Sequence, residues 1–312
     1  MSNFITILAA LLLLSACGSP SSSDEQDYEN IAESNTINVI TQAMDFQLPH
    51  EIPSGWNTFR YDNQSDEIHF FVLEKLPDSI TIENYRSELL PVFKNAFNLM
   101  KAGEVDSAMK EFRNIPPWFQ EVTVGGGVGM ISPRSTAEST FYLRPGTYAM
   151  ECYIRMPDGQ PHAFMGMLAE LVVNTEGSQV IPPEADHSIA ISSTEGIRLN
   201  STPKAGTHMF EVKFEDQQKY ENTLGHDVNL VKLAENASLD SLGKWLNTVD
   251  FNAFRTPSPE GFTFLGGIED LPAGQVGYFS TTLETGKYVL ISEIPGALER
   301  NMYKEFEVQD NP

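Results

Sequence analysis

An internal repeat is the feature of this 312-residue chain that most constrains its fold. Residues 69–76, HFFVLEKL, align with residues 226–233, HDVNLVKL, and the two stretches share His, Leu, Lys and Leu at the same offsets. A second shared pattern, Leu-x-x-Gly-x-Tyr, ends at Tyr148 and at Tyr288. In both places the second residue of a Gly-Gly pair lies 21 residues before the tyrosine. Several matches in the same order indicate that one folding unit has been duplicated.

The composition along the chain locates the two units. Residues 175–188, TEGSQVIPPEADHS, replace alternating apolar residues with Pro, Gly and acidic residues, which is typical of a linker. We therefore predict folded units over residues 36–175 and 187–312. Each unit contains short segments rich in β-branched and aromatic residues, separated by Gly and Pro, and this pattern predicts an all-β sandwich or barrel.

A helical segment interrupts the first unit. Residues 83–112 carry apolar residues at roughly helical spacing, with Pro91 as an obstacle and Gly103 as a break. We expect two short helices in this segment. The second unit has a shorter version around residues 239–246.

The first residues have the layout of a secretory signal. An apolar run over residues 4–14 is too short to span a bilayer, and small residues and Cys17 follow it. The sequence Leu-Ser-Ala-Cys at residues 14–17 resembles the processing site of bacterial lipoproteins. This resemblance implies that residues 1–16 are a removed signal peptide, that Cys17 carries a lipid, and that the polar residues 17–35 are a flexible tether. We then expect the protein in the cell envelope, on the outer membrane or the periplasmic face, with the membrane as a partner through the N-terminal lipid.

The charge of the chain narrows the classes of partner. Acidic residues outnumber basic ones by 43 to 20, which gives a formal charge of −23. A surface of this sign repels phosphate backbones, so we expect no nucleic acid as a partner.

Cys152 is the remaining cysteine if Cys17 is lipidated. A free exposed thiol is a liability in an oxidising compartment, which leaves three interpretations open: a buried inert cysteine, an intermolecular disulfide, or a metal thiolate. His162 and Met167 follow Cys152 at short spacing, and His69 leads into an apolar strand. Two imidazoles, one thiolate and a weak thioether are the ligand set of blue-copper sites.

The order of these residues resembles the type 1 copper site of the cupredoxins. Residues 143–152, LRPGTYAMEC, are similar to the strand that enters the cysteine in that family, and residues 161–167, PHAFMGM, to the loop that leaves it. The sequence departs from the usual family pattern in two respects. Phe70 follows the first histidine where many members have Asn, and a long loop of nine residues separates Cys152 from His162.

The resemblance implies two tandem Greek-key cupredoxin-like β-sandwiches, the first with a helical insertion. It also implies one type 1 copper ion, with His69, Cys152, His162 and Met167 as its ligands. The function implied is electron transfer or copper handling, with a redox protein as partner.

The second unit lacks this ligand set. Aligning the two repeat tyrosines places Ser292 opposite Cys152, and no histidine follows Ser292. We therefore expect the second unit to be a degenerate cupredoxin-like domain without metal ligands. This leaves a second function open, a metal-free binding or scaffold lipoprotein that presents the helical insertion, with Trp118, to a partner.

The histidine pattern predicts that the chain is not an enzyme. Multicopper oxidases require several His-x-His pairs, and this chain has six histidines and no such pair. Two-domain nitrite reductases have a histidine directly before the type 1 cysteine, where this chain has Glu151. In addition, no pair of carboxylates has a spacing typical of a catalytic site.

Overall fold

A computed structural model describes residues 36–221 and 224–310. The predicted signal peptide, the tether and the lipidated Cys17 lie outside the described residues. Among the described helices, none is long and apolar enough to cross a membrane.

The described residues form strands with a few short helices. The strands of the first half are β1 (Thr36–Thr41), β2 (Glu51–Asn63), β3 (His69–Lys75), β4 (Thr123–Ile131), β5 (Ser135–Leu143), β6 (Gly146–Glu151) and β7 (Leu168–Gly177). The strands of the second half are β8 (His187–Ser192), β9 (Gly196–Leu199), β10 (Gly206–Phe214), β11 (Val228–Leu233), β12 (Phe262–Ile268), β13 (Val276–Leu283), β14 (Gly286–Ile291) and β15 (Tyr303–Val308). The α-helices are α1 (Ile82–Asn84), α2 (Leu90–Lys101), α3 (Val105–Glu111) and α4 (Leu239–Leu246).

Two layers of strands enclose the core. Strands β2, β5, β13, β10, β8 and β9 pair in that order in one layer, and β15, β14, β11, β12, β4, β3, β6 and β7 pair in the other. Strand β1 pairs with β2, and β2 also pairs with β7 and so joins the two layers. Aromatic side chains fill the space between the layers. The Phe59 ring of β2, for example, lies 5.6 Å from the Phe71 ring of β3. The predicted all-β fold with a helical insertion in the first half is confirmed.

The repeat is visible in the register of the strands. In the first half β3 lies between β4 and β6, and Lys75 pairs with Tyr148. In the second half β11 lies between β12 and β14, and Lys232 pairs with Tyr288. The division into domains at residues 36–175 and 187–312 stays a prediction.

The two halves join through equivalent strands. Strand β4 pairs with β12, where Val128 stands opposite Ile268, and β5 pairs with β13, where Ser139 stands opposite Phe279. In each pair the two residues occupy equivalent positions of the repeat. An approximate two-fold axis therefore relates the halves, and each layer contains strands from both halves.

The helical insertion lies between β3 and β4, as predicted. Pro91 lies at the start of α2, directly after a π-helical turn over Tyr85–Leu89, so the α-helical ladder is already interrupted where its missing N–H falls. The helix ends at Lys101, and Gly103 follows with a φ of +80°. The shorter helix predicted in the second half is α4, and Ser238 caps its N-terminus by accepting a hydrogen bond from the Ser241 backbone N–H.

A buried tyrosine attaches the insertion to the sheet. The hydroxyl of Tyr85 lies 2.9 Å from Glu74 Oε2 and 3.0 Å from Glu151 Oε2. A hydroxyl donates one hydrogen bond, so it can bridge two carboxyl groups when one of them carries a proton. Burial raises the pKa of Glu74 to about 8, with a further contribution from Glu151, and burial raises that of Glu151 to about 7. The two carboxyl groups thus share a proton beside the Tyr85 hydroxyl near neutral pH.

The repeated glycine pairs allow β3 and β11 to approach their neighbours. Gly126 and Gly266 have φ values of +88° and +92°, which an L side chain rarely adopts. A Cβ atom on Gly127 would lie 2.0 Å from the carbonyl oxygen of Phe71, and one on Gly267 would lie 1.9 Å from that of Val228. The register of each ladder shifts at the same place. The glycine pair therefore lies at a bulge in each half.

We predict that Gly127→Ala lowers the free energy of unfolding by about 3 kcal/mol, because the added methyl group collides with backbone that has no room to move. Equilibrium unfolding in urea measures this loss. Gly177→Ala is the matched control, since no atom lies within 4 Å of the position its Cβ would take. Equal stability losses in the two variants would contradict the close approach at Gly127.

Candidate metal centre

Three of the predicted ligands meet at one end of the first half. His69 is the first residue of β3, and Cys152 directly follows β6. Because β3 and β6 are antiparallel neighbours, the start of one strand and the end of the other lie at the same edge of the sheet. His162 begins a 3₁₀-helix in the loop that leaves Cys152.

The donor atoms of these residues face one another. The Nδ1 atoms of His69 and His162 are 3.2 Å apart, and Cys152 Sγ lies 3.9 Å from the first and 3.8 Å from the second. All three side chains are fully buried. They form a group of metal-ligating residues among those that the structure describes.

Backbone hydrogen bonds hold the loop between the ligands in place. The N–H of Ala163 donates to the carbonyl of Cys152 over 2.9 Å, and the N–H of His162 donates to that of Ile154 over 2.7 Å. Met167 donates to the carbonyl of His162 and accepts from the N–H of Cys152, at 3.1 and 3.2 Å. Its side chain is fully buried. The backbone thus places Met167, the predicted axial ligand, beside both residues.

The far side of each imidazole lacks a hydrogen bond within the described residues. The Nε2 atoms of His69 and His162 are buried and unpaired. The nearest carboxylate is that of Glu67, whose Oε2 lies 3.3 Å from His162 Nε2 without forming a hydrogen bond. The Glu67 side chain is 32% exposed, so it lies between His162 and solvent.

Burial keeps both histidines neutral. It lowers the pKa of His69 to about 4, although Asp45 acts in the opposite direction. It lowers the pKa of His162 to about 3, and the neighbouring His69 adds to this shift. A neutral imidazole has a lone pair for a metal ion, so both rings are in the state that metal binding requires.

The thiol of Cys152 is protonated at neutral pH. Burial raises its pKa to about 12, while hydrogen bonds from the backbone of Phe70 and Ile154 lower it in part. The Phe70 backbone therefore contributes to the thiolate environment although the Asn found there in many cupredoxins is absent. A metal ion that binds this sulfur must displace the proton.

The donor set fits a copper ion. Bonds of about 2.0 Å to imidazole and about 2.3 Å to thiolate, the values for Zn²⁺, would separate the donors of a trigonal ion by roughly 3.5 Å for N–N and roughly 3.7 Å for N–S. The observed distances of 3.2, 3.8 and 3.9 Å are close to these values. Two imidazoles and a thiolate in trigonal arrangement are typical of blue copper. The cluster therefore supports a copper site.

No protein-family model and no curated protein matches the chain, but solved structures do. Auracyanin A, a "blue" copper protein from Chloroflexus aurantiacus, is 20% identical and covers 45% of this chain and 98% of its own, with a TM-score of 0.27. A multicopper oxidase is 13% identical and covers 88% of this chain and 87% of its own, with a TM-score of 0.22. A copper-containing nitrite reductase from Thermus scotoductus SA-01 is 7% identical and covers 88% of this chain and 61% of its own, with a TM-score of 0.21. The cupredoxin resemblance thus recurs among solved copper proteins, and the copper assignment rests on the donor atoms described above.

The prediction that the chain is not an enzyme is wrong. The two solved structures that cover 88% of the chain are a multicopper oxidase and a copper nitrite reductase, and both are enzymes. The prediction rested on the pattern of histidines alone. Ligands of another chemical type can lie elsewhere in the chain.

Potential ligands with carboxylate groups lie in the second half, and they were not identified from the sequence. The sequence alignment placed Ser292 opposite Cys152, and Ser292 indeed offers no thiolate. His226 forms other contacts, with Tyr220 Oη at 3.2 Å and the carbonyl of Asp216 at 2.9 Å. Near Ser292, three acidic side chains meet in the interior: Asp227, Glu269 and Glu293. These three residues are far apart in sequence. The one sequence signal for them is that the second half has acidic residues at positions where the aligned first half has uncharged residues.

We predict that the metal-free protein becomes less stable as the pH falls from about 6.5 towards 4 because of its buried histidines. Their pKa values in the folded state lie below the unfolded value, so the unfolded state binds more protons in this window and protonation favours unfolding. Between pH 7 and pH 5, the His162→Leu variant should lose about 1–2 kcal/mol less free energy of unfolding than the wild type does. Urea unfolding at both pH values gives the difference between variant and wild type.

The comparison with wild type is needed because buried carboxyl groups with raised pKa values titrate nearby with the opposite sign. If His162→Leu keeps the wild-type pH dependence, the low pKa of His162 is refuted.

Proposed function

We propose that this chain binds one copper ion through His69, Cys152, His162 and Met167 and transfers single electrons through this site. The observation that carries the proposal is the triangle of two imidazole nitrogens and one thiol sulfur, 3.2 to 3.9 Å apart and fully buried. Copper bound there would supply a reversible one-electron couple. Electron transfer is the class of chemistry that a closed, water-free site of this composition suits.

The protein contributes a site whose donors are already in position. Met130, Met150 and Ile154 belong to the fully buried core around the ligands, and this apolar packing keeps water away from them. The loop hydrogen bonds hold His162 and Met167 relative to Cys152. Small rearrangement between oxidation states favours fast electron transfer, and these fixed contacts limit rearrangement.

The proposed entry for electrons is the side of His162 that faces Glu67. His162 is itself buried, but Glu67 beside its Nε2 atom reaches the surface. A redox partner would dock over this carboxylate. The net charge of −23 favours a partner with a basic docking face, because opposite charges steer association.

A further part of the proposal is that the mature protein is attached to the cell envelope by a lipid on Cys17. The support is the Leu-Ser-Ala-Cys sequence followed by a polar tether. We expect Cys17→Ser to release the protein from membranes or to stop processing of the signal peptide. Fractionation of cells that express either form measures this, and a mature Cys17→Ser protein that stays with the membranes would contradict lipid attachment at this residue.

We predict that wild-type protein takes up one equivalent of Cu(II) and develops an intense thiolate-to-copper absorption band. Cys152→Ser should abolish the band, because the charge transfer requires the sulfur. His69→Ala and His162→Ala should weaken binding or change the spectrum. Met167→Leu should keep the colour and raise the reduction potential, since a weak axial ligand tunes the couple. Visible spectroscopy and potentiometric titration measure these effects.

Matched controls come from the same chain. Met165→Leu replaces a methionine that is 50% exposed, and His50→Ala replaces an exposed histidine, so both should leave the band and the potential unchanged. Wild-type protein that stays colourless with excess Cu(II), while Cys152 remains reduced, would refute the copper proposal. That result would favour the metal-free scaffold function.

A further inference from the structure

A second group of potential ligands lies in the second half, at the strand ends that correspond to the copper site. Asp227 directly precedes β11, Glu269 directly follows β12, and Glu293 lies just beyond β14. Because β11 pairs with both β12 and β14 in antiparallel fashion, these three positions share one edge of the sheet. Their carboxylate oxygens lie within 4.8 Å of one another, and all three side chains are buried.

The carboxylates lack a cationic partner. Within residues 36–221 and 224–310, no Lys, Arg or His forms an ion pair with any of the three. Asp270, which is also buried, stands next to Glu269 and adds to the negative charge. Burial of unpaired carboxylates is costly unless protons or a cation neutralise them.

Glu269 is the side chain that points to a ligand. Both of its carboxylate oxygens are buried and accept no hydrogen bond, and the same holds for Oε2 of Glu293. Asp227, in contrast, is held in position. Its Oδ1 accepts from Ser292 Oγ at 2.7 Å and from the Glu293 N–H at 2.8 Å, and its Oδ2 accepts from Asn229. The hydrogen-bonded oxygens of Asp227 and the unpaired oxygens of Glu269 and Glu293 thus lie around the same buried space.

The repeat shows what these acids replace. By the alignment of the two halves, Asp227, Glu269 and Glu293 stand where the first half has Phe70, Gly129 and Tyr153. In the first half Phe70 and Tyr153 form an edge-to-face pair with centroids 4.6 Å apart. An uncharged, aromatic arrangement of the same positions therefore exists in this chain. Packing does not require three acids, which argues for a ligand.

We propose that Asp227, Glu269 and Glu293 bind a hard divalent cation of the Mg²⁺, Mn²⁺ or Ca²⁺ class. Carboxylate oxygens are the ligands that such ions prefer, and this group offers neither imidazole nor thiolate. The cation would offset two of the three negative charges of the ionised carboxylates and occupy the unused oxygens of Glu269. The hydroxyl of Tyr153, the residue after Cys152, donates to Glu293 Oε1. This hydrogen bond would connect the cation site to the copper site.

The test uses Mn²⁺ as the probe and the complete mature chain. Wild-type protein should bind one equivalent of Mn²⁺ by EPR titration and gain thermal stability with it. Glu269→Gln should weaken Mn²⁺ binding roughly tenfold or more, because it removes a negatively charged ligand. Glu299→Gln, at an exposed carboxylate, is the control and should bind as wild type does.

Two further measurements keep the proposal open to refutation. Cys152→Ser should retain Mn²⁺ binding, so a failure of the copper proposal is distinguishable from a failure of this one. Should Glu269→Gln not fold, the wild-type titration alone decides the matter. Wild-type protein without a saturable Mn²⁺ signal would overturn the proposal, and a Glu269→Gln variant of higher melting temperature would then show that the acids only share protons.

Discussion

The backbone ladder between β3 and β6 sets the distance between His69 and Cys152, and the candidate copper site depends on it. Strand β3 pairs with β4 on its other side, so its start cannot move independently of the sheet. A slip of one residue would turn His69 to the opposite face. The pairing of β3 with β4 in turn depends on Gly127, because a side chain there would collide with the carbonyl of Phe71.

The burial of polar ligands lowers the free energy of unfolding. His69 and His162 each leave one ring nitrogen without a hydrogen bond, in an interior where such groups are normally paired. A metal ion at their Nδ1 atoms would leave each ring proton on Nε2, and the free energy of metal binding would offset this cost. Sites where buried polar atoms remain unpaired are common places for function. At the helical insertion, by contrast, the buried polar groups are paired, because the Tyr85 hydroxyl forms hydrogen bonds with two buried carboxyl groups.

The two halves use the same strand ends for different chemistry. The first half brings together nitrogen and sulfur donors, which suit copper, and the second brings together carboxylate oxygens. Ser292, the counterpart of Cys152, donates to Asp227 and so belongs to the acidic group. A degenerate copper site is therefore an incomplete description of the second half.

The sequence by itself determined the class of fold and the internal repeat, and it supplied the residues proposed as soft ligands. Alternating apolar residues, the repeated Gly-Gly pairs and the helical spacing of residues 83–112 are local patterns, and local backbone geometry follows from them. Cys152, His162 and Met167 lie within one short loop, so their proximity could be predicted from spacing. His69 could be added because its residue type completes a known ligand set.

Only the tertiary structure decided which distant residues share the interior. Asp227, Glu269 and Glu293 come from three strands, and their convergence depends on the register of β11 with β12 and β14. The position of Glu67 over His162 and the joining of the halves through β4 and β12 likewise depend on strand pairing. Hydrophobic periodicity shows which face of a strand is buried. It does not show which other strand end lies opposite that face, because long-range pairing is set by the packing of the whole chain.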